Sequence, residues 1–485
     1  MKQAIIILIH KDIENVVRLI NYFKGTCDIF IHIDKDYKIS TEQYEQLKKL
    51  DGVVSVFQTY KVHWGAFSIV KTELFLLETA IKKSKFKYVH LLSGQDYPIK
   101  PLSDFLRFFS DTDNEYLQNT HLPNPNWDNN TMQRLQNYFF LDHMIINRDS
   151  DVKKVWNMAN TLAKYGLKRR IPDEFMHLYG GSQWFSLSRE AIVAILEYTH
   201  KHSSFYRAMR FVYCPDEIYF TTVLMNIDYK NKKEIINDNM RFIKWPFKNA
   251  QHPKIINHED LRLLAASNAF FARKFGKDHT IKDVIDKYYL KDDLSIFEQN
   301  GIIHQSCISK YGFDLGLAKY ILYFCQVLNI KSIIDLGCGP GLYVDFFNKS
   351  NIITYGYDGN KYTTELSRII SQDNSCACKQ LELHHPIDNI DAADLVLFLS
   401  VGEYIPSHYQ DVVINNLCKV AKKYLVISWA NVFNQDIYIQ NPLKKREIEK
   451  ELQSRGFELD MLATDSLRHS VNNHLHKNSY IFKRK

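Results

Sequence analysis

A chain of 485 residues with 45% apolar and 24% charged side chains is globular and long enough for two or three domains, which excludes a disordered or fibrous polymer. The formal charge of +7 is spread thinly. The short clusters Lys168-Arg169-Arg170 and Lys444-Lys445-Arg446 therefore read as solvated faces, which allow peripheral contact with an anionic membrane but make a nucleic-acid groove improbable.

The apolar run at residues 4–9 is far too short to span a bilayer and lacks a signal-peptide cleavage pattern, so it reads as a first buried strand. A helix is predicted over 13–23, strands over 28–33 and 53–59, a helix over 68–82 and a strand over 88–92. Strands alternating with helices imply βαβ units and a largely parallel sheet. The Pro- and Asn-rich stretch 122–131 reads as a loop bordering a site. Helices follow over 189–198 and 216–226, and a polar stretch from 277 to 305 joins the two halves.

The alternation then restarts. A helix is predicted over 315–328, strands over 332–336, 352–357 and 395–399, a helix over 409–421 and a strand over 424–428. No internal repeat or transmembrane segment is evident. The expected domains are 1–285 and 305–485, joined by a linker over 286–304.

The eight cysteines form no paired framework, which suits a reducing cytoplasm, the expected location. Cys376 and Cys378 make only C-x-C, and His469, His474 and His476 lack a matched ligand set, so no metal site is expected.

Five motifs occur in order in the first half. They are His63-Trp64-Gly65, the run from Tyr88 through Ser93-Gly94-Gln95-Asp96 to Ile99, Gly180-Gly181-Ser182-Gln183-Trp184-Phe185, Cys214-Pro215-Asp216-Glu217 and Phe271-Ala272-Arg273-Lys274-Phe275. Together they resemble the core-2/I-branching β-1,6-N-acetylglucosaminyltransferase and peptide O-xylosyltransferase family over about residues 1–280. The resemblance implies a GT-A fold and metal-independent, inverting transfer of GlcNAc, or alternatively xylose, from a UDP-sugar to an acceptor hydroxyl. It also implies that Glu217 is the base, that Arg273 and Lys274 neutralise the departing diphosphate, and that Lys254 is a weaker second cation.

Metal-dependent GT-A enzymes carry Asp-x-Asp after a middle strand, where this chain has Ser93-Gly94-Gln95-Asp96. Asp34-Lys35-Asp36 has the right letters but follows the second strand. Fixed cations do the work of the missing ion without reorganising. A carboxylate within hydrogen-bond reach makes a sugar hydroxyl nucleophilic, although Asp216-Glu217 after Pro215 also suits an acidic first helical turn, with Asp216 as a cap. Trp184 and Trp245 are expected to face the acceptor sugar, and Trp64 and Asp96 to shape the donor pocket.

In the second half, Ile333 to Gly341 reads as a short apolar strand, the acid Asp335 and a G-x-G-x-G turn through Gly337, Gly339 and Gly341. Asp358 ends the next strand, 17 residues past Gly341, a spacing that lets it accept both ribose hydroxyls of an adenosine. A dinucleotide fingerprint requires glycine where this chain has Leu342, which argues for a cofactor without pyrophosphate.

This stretch resembles class I S-adenosylmethionine-dependent methyltransferases over about residues 305–485. The resemblance implies a Rossmann-like domain, with Asp394 at the family's fourth motif and Ser400 to Pro406 forming a Gly-Glu-x-Ile-Pro loop. Methylation of a hydroxyl needs a proton acceptor, for which Glu403 is the candidate; it also suits a helix cap.

The expected fold class is thus α/β, a GT-A-type nucleotide-sugar domain followed by a Rossmann-like class I methyltransferase domain. The expected protein is a bifunctional glycan-modifying enzyme acting on a saccharide acceptor. The alternative is an active methyltransferase carrying a non-catalytic, glycan-binding glycosyltransferase-fold module.

Overall fold

The computed structural model describes residues 2–125, 131–144, 151–171, 177–247, 250, 252–265, 267–290, 313–371, 378–430, 439–471 and 478–485. Cys376, His474, His476 and residues 291–304 of the expected linker lie outside the described residues. The chain forms two compact units, one of Met1–Ile255 with Asn268–Asp278 and one of Ile256–Ser267 with His279–Lys485. The chain therefore passes between the units near 255, 267 and 278 rather than once near 285.

In the first unit a seven-stranded sheet runs in the order β10-β6-β9-β4-β1-β2-β3. Its strands are β1 (Lys2–Ile9), β2 (Cys27–Ile33), β3 (Val53–Phe57), β4 (Phe86–Ser93), β6 (Glu115–Leu117), β9 (Phe185–Ser188) and β10 (Ile235–Ile236). Strands β1 to β4 are mutually parallel where they pair, while β9 runs antiparallel to both β4 and β6. Ala4 to Ile7 of β1 are wholly buried, as a central strand covered on both faces requires.

The helix Phe67–Lys83 lays Val70, Leu74 and Leu77 into the main core. A small sheet adds β5 (Asp96–Pro98), β11 (Arg241–Ile243) and β12 (Phe271–Arg273), with β12 antiparallel to β5 so that Arg273 stands opposite Asp96. Strands β7 (Thr120–Leu122) and β8 (Leu178–Gly180) pair separately.

The second unit holds a sheet in the order β15-β14-β13-β16-β17-β19-β18. These are β13 (Ser332–Leu336), β14 (Ile353–Asp358), β15 (Lys379–Gln380), β16 (Ala393–Leu399), β17 (Ala421–Ser428), β18 (Phe457–Leu459) and β19 (Ser479–Arg484). Strands β13 to β17 are parallel and β18 shares their direction, while β19 alone runs antiparallel to its neighbours β17 and β18; the strand order reverses between β13 and β16, where a Rossmann-like sheet opens its ligand crevice.

Two local departures from expectation have clear causes. The unanticipated helix Thr41–Lys49 starts at a capping box in which Ser40 Oγ accepts from Gln43 N and Gln43 Oε1 accepts from Ser40 N. The helix expected from 216 is a 3₁₀ turn, Pro215–Glu217, followed by the helix Tyr219–Asn226.

Candidate functional site

A cavity of about 1340 Å³ opens at the carboxyl ends of β1, β2 and β4, bounded on its other side by the small sheet. Glu217, Arg273, Lys274, Trp64, Trp184 and Trp245 all line it. Asp96 stands behind Arg273 and is buried. Lys254 is not in the wall, although its neighbour Pro253 is, and its N–H donates to the Lys244 carbonyl.

The turn bearing Glu217 is held by the other sequence motifs. Cys214 adopts a left-handed φ of 51°, its N–H donates to the Gly65 carbonyl at 2.8 Å, and Gly181 N donates to the Glu217 carbonyl at 2.9 Å. A Cβ at Gly181 would lie 1.9 Å from the Gln118 carbonyl oxygen, so only glycine allows that approach. Arg134 Nη2 donates to Glu217 Oε2 at 2.6 Å. The Arg134 guanidinium also donates to the Tyr213 carbonyl and lies over the Tyr213 ring.

Asp216 does not cap a helix, because neither the 3₁₀ turn nor the following helix has a side-chain cap. It is buried instead beside Glu73 of the helix Phe67–Lys83, whose Oε1 accepts from Gln183 Nε2 at 2.6 Å. Burial, and then the charge of Asp216, push the Glu73 carboxyl well above its ordinary range.

Arg273 has the environment of an anion receptor. Its guanidinium lies 3.7 Å above the Trp184 ring centre, and its Nε is 3.4 Å from Asp96 Oδ1. Its Nε and Nη1 are buried and find no hydrogen-bond partner among the described residues. Burial lowers its pKa, with Asp96 opposing. Beneath it Arg241 donates to the Leu91 and Phe185 carbonyls, and burial lowers its pKa to about 10. Two cations so held present fixed charge with little left to reorganise.

Of the Asp34-Lys35-Asp36 pair, only Asp34 reaches the cavity. Its two oxygens accept from Asp36 N and Val62 N, while Asp36 pairs with Lys61 at 2.7 Å. His32, also in the wall, accepts from Tyr60 N, and burial lowers its pKa to about 4.

In the second unit, Gly337, Gly339 and Gly341 have φ of 76°, 52° and 75°, angles that disfavour any other residue. A Cβ on Gly337 would come 2.3 Å from Val401, so the loop also packs tightly on the segment after β16. Asp358 accepts from Gly339 N and Asn360 N, each at 2.8 Å and one to each oxygen, and the Thr363 side chain donates to it as well. Burial raises Asp358 to about 6.

Asp335 is buried, its Oδ2 has no partner among the described residues, and burial followed by the Asp358 charge raises it to about 8. A carboxylate oxygen without a partner among the described residues, beside the glycine loop, fits a cationic ligand group.

Glu403 lies in the 3₁₀ turn Gly402–Tyr404, just past the carboxyl end of β16, and is buried. Its carbonyl accepts from Gln440 N and Asn441 N. Asp394 is not at this end. It sits at the amino end of β16, accepts from Lys331 N at 2.9 Å and pairs with Lys423 at 3.0 Å, so it braces the opposite edge of the sheet from the glycine loop.

Arg134, Glu73 and Arg241 escaped the sequence reading, and Gln183 entered it only as a motif residue without a role. Glu73 left the clearest trace, an acid among the apolar positions of a helix otherwise read as core.

Among solved structures, the magnesium protoporphyrin IX methyltransferase of Synechocystis is similar over 35% of this chain and 82% of its own, with 16% identity and a TM-score of 0.28. A β-glucuronosyltransferase of Arabidopsis thaliana, GlcAT14A, is 29% identical over 40% of this chain and 41% of its own. A xylosyltransferase of Caenorhabditis elegans, sqv-6, is 24% identical over 44% of this chain and 25% of its own. The chain thus spans less than half the length of these two curated relatives. Residues 4–265, more than half of the chain, match the model of the Core-2/I-Branching enzymes, and the chain belongs to that family.

Proposed function

We propose that the first unit transfers a sugar from a UDP-sugar to a saccharide hydroxyl with inversion, and that the second methylates a hydroxyl, also on a saccharide, with S-adenosylmethionine. The observation that carries the first reading is that one cavity holds both the Glu217 carboxylate and the Arg273 guanidinium, whose buried Nε and Nη1 have no hydrogen-bond partner among the described residues. Glu217, oriented by Arg134, takes the proton of the incoming hydroxyl as the new bond forms. Arg273 and Lys274 receive the charge that develops on the departing diphosphate. Trp184 and Trp245 offer ring faces to the sugar, and Trp64 with Asp96 shapes the donor side. Lys254, one residue outside the wall, is the weaker cation of this set.

GlcNAc is the first donor to test and xylose the second. The names of the two curated relatives add glucuronate to the panel and keep xylose in it.

For the second unit, support comes from the three left-handed glycines, the Asp335 oxygen without a partner among the described residues, and the buried Asp358 that accepts from the glycine loop. Bound S-adenosylmethionine supplies an electrophilic methyl group on a sulfonium. Asp335 would hold a cationic part of it and Asp358 the ribose hydroxyls. We assign proton acceptance from the substrate hydroxyl to Glu403, the carboxylate at the carboxyl end of β16. Among the described residues, no helix is long and apolar enough to cross a membrane.

UDP release from each sugar in the presence of EDTA, together with methyl transfer to the glycosylated product, tests both halves. Turnover that is lost in Glu217→Gln supports the catalytic reading. Absence of turnover with every donor, alongside retained methylation, would instead make the first unit a glycan-docking module. A requirement for manganese would overturn the metal-free assignment.

A further inference from the structure

One group of side chains in the second unit belongs to neither site. The loop following β15 reads Leu381-Glu382-Leu383-His384-His385, and one ligand atom from each of Glu382, His384 and His385 lies within 4.8 Å of the others. His384 Nε2 is 3.3 Å and His385 Nε2 3.6 Å from the same oxygen, Glu382 Oε2. Both separations exceed the usual range of an N–H···O hydrogen bond, about 2.7–3.2 Å. The edge of a tetrahedron around a metal with ligand bonds of about 2.0–2.1 Å is about 3.3–3.4 Å; the His384 separation equals it and the His385 separation is about 0.2 Å longer.

The backbone holds this arrangement without help from the three side chains. The buried Asn416 donates from Nδ2 to the Leu383 and His385 carbonyls at 2.9 and 2.8 Å, and its Oδ1 accepts from Ile387 N at 3.0 Å. The His384 ring packs 5.1 Å from Tyr409, which fixes its plane. A loop clamped in advance loses little entropy when it binds an ion.

We infer that Glu382, His384 and His385 form a binding site for one borderline divalent transition-metal cation of the Zn²⁺ type. Two imidazoles and one carboxylate are the donors such ions select, whereas Mg²⁺ and Ca²⁺ prefer oxygen alone. His384 is 8% exposed, but Glu382 and His385 are 40% and 67% exposed, so the remaining coordination position faces water. That is the arrangement of an open site able to take an exogenous ligand, rather than of a closed structural centre. The loop leaves the sheet at its carboxyl edge, where Leu381 N donates to the Asp358 carbonyl, so the ion would sit at the end of the sheet that carries the glycine loop.

The inference stands apart from both transferase assignments and is read by binding alone. The full-length chain is titrated with Zn²⁺ against a chromogenic chelator, and separately with Co²⁺, whose visible absorption reports tetrahedral ligation. Wild type should bind one equivalent and show the tetrahedral Co²⁺ band. His384→Ala/His385→Ala should weaken Zn²⁺ by at least roughly 100-fold and abolish the band. His469→Ala should change neither, and Mg²⁺ should not compete. Glu382→Gln, which keeps the loop's shape and volume, should weaken binding by roughly 10-fold or more and guards against misfolding of the double variant. Equal Zn²⁺ affinity in wild type and both loop variants, or no tetrahedral Co²⁺ spectrum in wild type, overturns the inference.

Discussion

Arg134 Nη2 donates to Glu217 Oε2 at 2.6 Å, with the guanidinium 6% exposed and the carboxylate 36% exposed. A buried arginine fixes one oxygen of an acid that stands at a cavity wall. Oε1 has no hydrogen-bond partner among the described residues. The carboxylate is thereby held in one orientation, with an oxygen left to accept a proton.

Glu217→Gln keeps the shape and removes the basicity. Sugar transfer should fall by roughly 10²–10⁴-fold in kcat, while UDP affinity stays near wild type. Arg134→Lys keeps the charge but loses the second donor to the Tyr213 carbonyl, so it should lower kcat by less and leave the donor KM unchanged. UDP-release kinetics with calorimetric UDP binding separate the two effects. Wild-type turnover in Glu217→Gln would remove the base from this position.

Arg273 is held by a ring below and a carboxylate beside it, with donors to spare. Lysine there keeps the charge but loses both the stacked plane and the fork. Arg273→Lys should therefore weaken UDP binding by about 10- to 100-fold, in line with about 1.5–3 kcal/mol for a hydrogen bond to a charged group. Calorimetric titration with UDP in EDTA checks this. An unchanged Kd would show that the diphosphate does not reach Arg273.

Glu73 gives a prediction about stability. Its folded carboxyl titrates well above the ordinary range, from burial and then Asp216. The folded chain therefore keeps a proton that the unfolded chain releases as pH rises past the ordinary carboxylate pKa. Stability contributed by this group is present at low pH and declines as pH rises. Glu73→Gln is permanently neutral and can still accept from Gln183. Its stability relative to wild type should improve between pH 5 and pH 8, as read by urea denaturation at both. A constant difference across that range would mean that Glu73 is ionised when folded.

Much of this was legible because it depends on local chemistry. The glycine loop needs left-handed backbone at Gly337, Gly339 and Gly341, and only one residue type supplies it cheaply, so the letters betray the turn. Glu217 and Arg273 were readable from motifs, and the two strand-rich halves from alternation. Arg134 and Glu73 were not, since their roles arise from the packing of segments 83 and 143 residues from their partners.

Asp394 stands at the entry to its strand, as the sequence reads, but the family's fourth motif, not its position, put it with the cofactor. The Lys331 and Lys423 contacts hold it at the amino edge of the sheet, opposite the glycine loop. Glu382, His384 and His385 lack the paired spacing by which a metal site is legible in sequence, because all three crowd one clamped turn.

Asp335 carries the last prediction. Its folded carboxyl titrates near 8 against an ordinary 3.8, because it is buried and then because Asp358 lies close. Asp358 itself titrates near 6 and is already ionised at pH 7. Between about pH 4 and pH 8 the folded chain thus holds a proton on Asp335 that the unfolded chain has lost, and stability from this group falls as pH rises across that window. A cationic ligand group reverses the preference, since it favours the carboxylate. S-adenosylmethionine binding at pH 7 should therefore release close to one proton, and affinity should rise as pH approaches 8. Calorimetry in two buffers of different ionisation enthalpy measures the proton count directly. Asp335→Asn should bind more weakly, with no proton release at pH 7 and a flat profile between pH 7 and pH 8, above the range in which Asp358 titrates. Binding without proton release in wild type would place the ligand's positive charge away from Asp335.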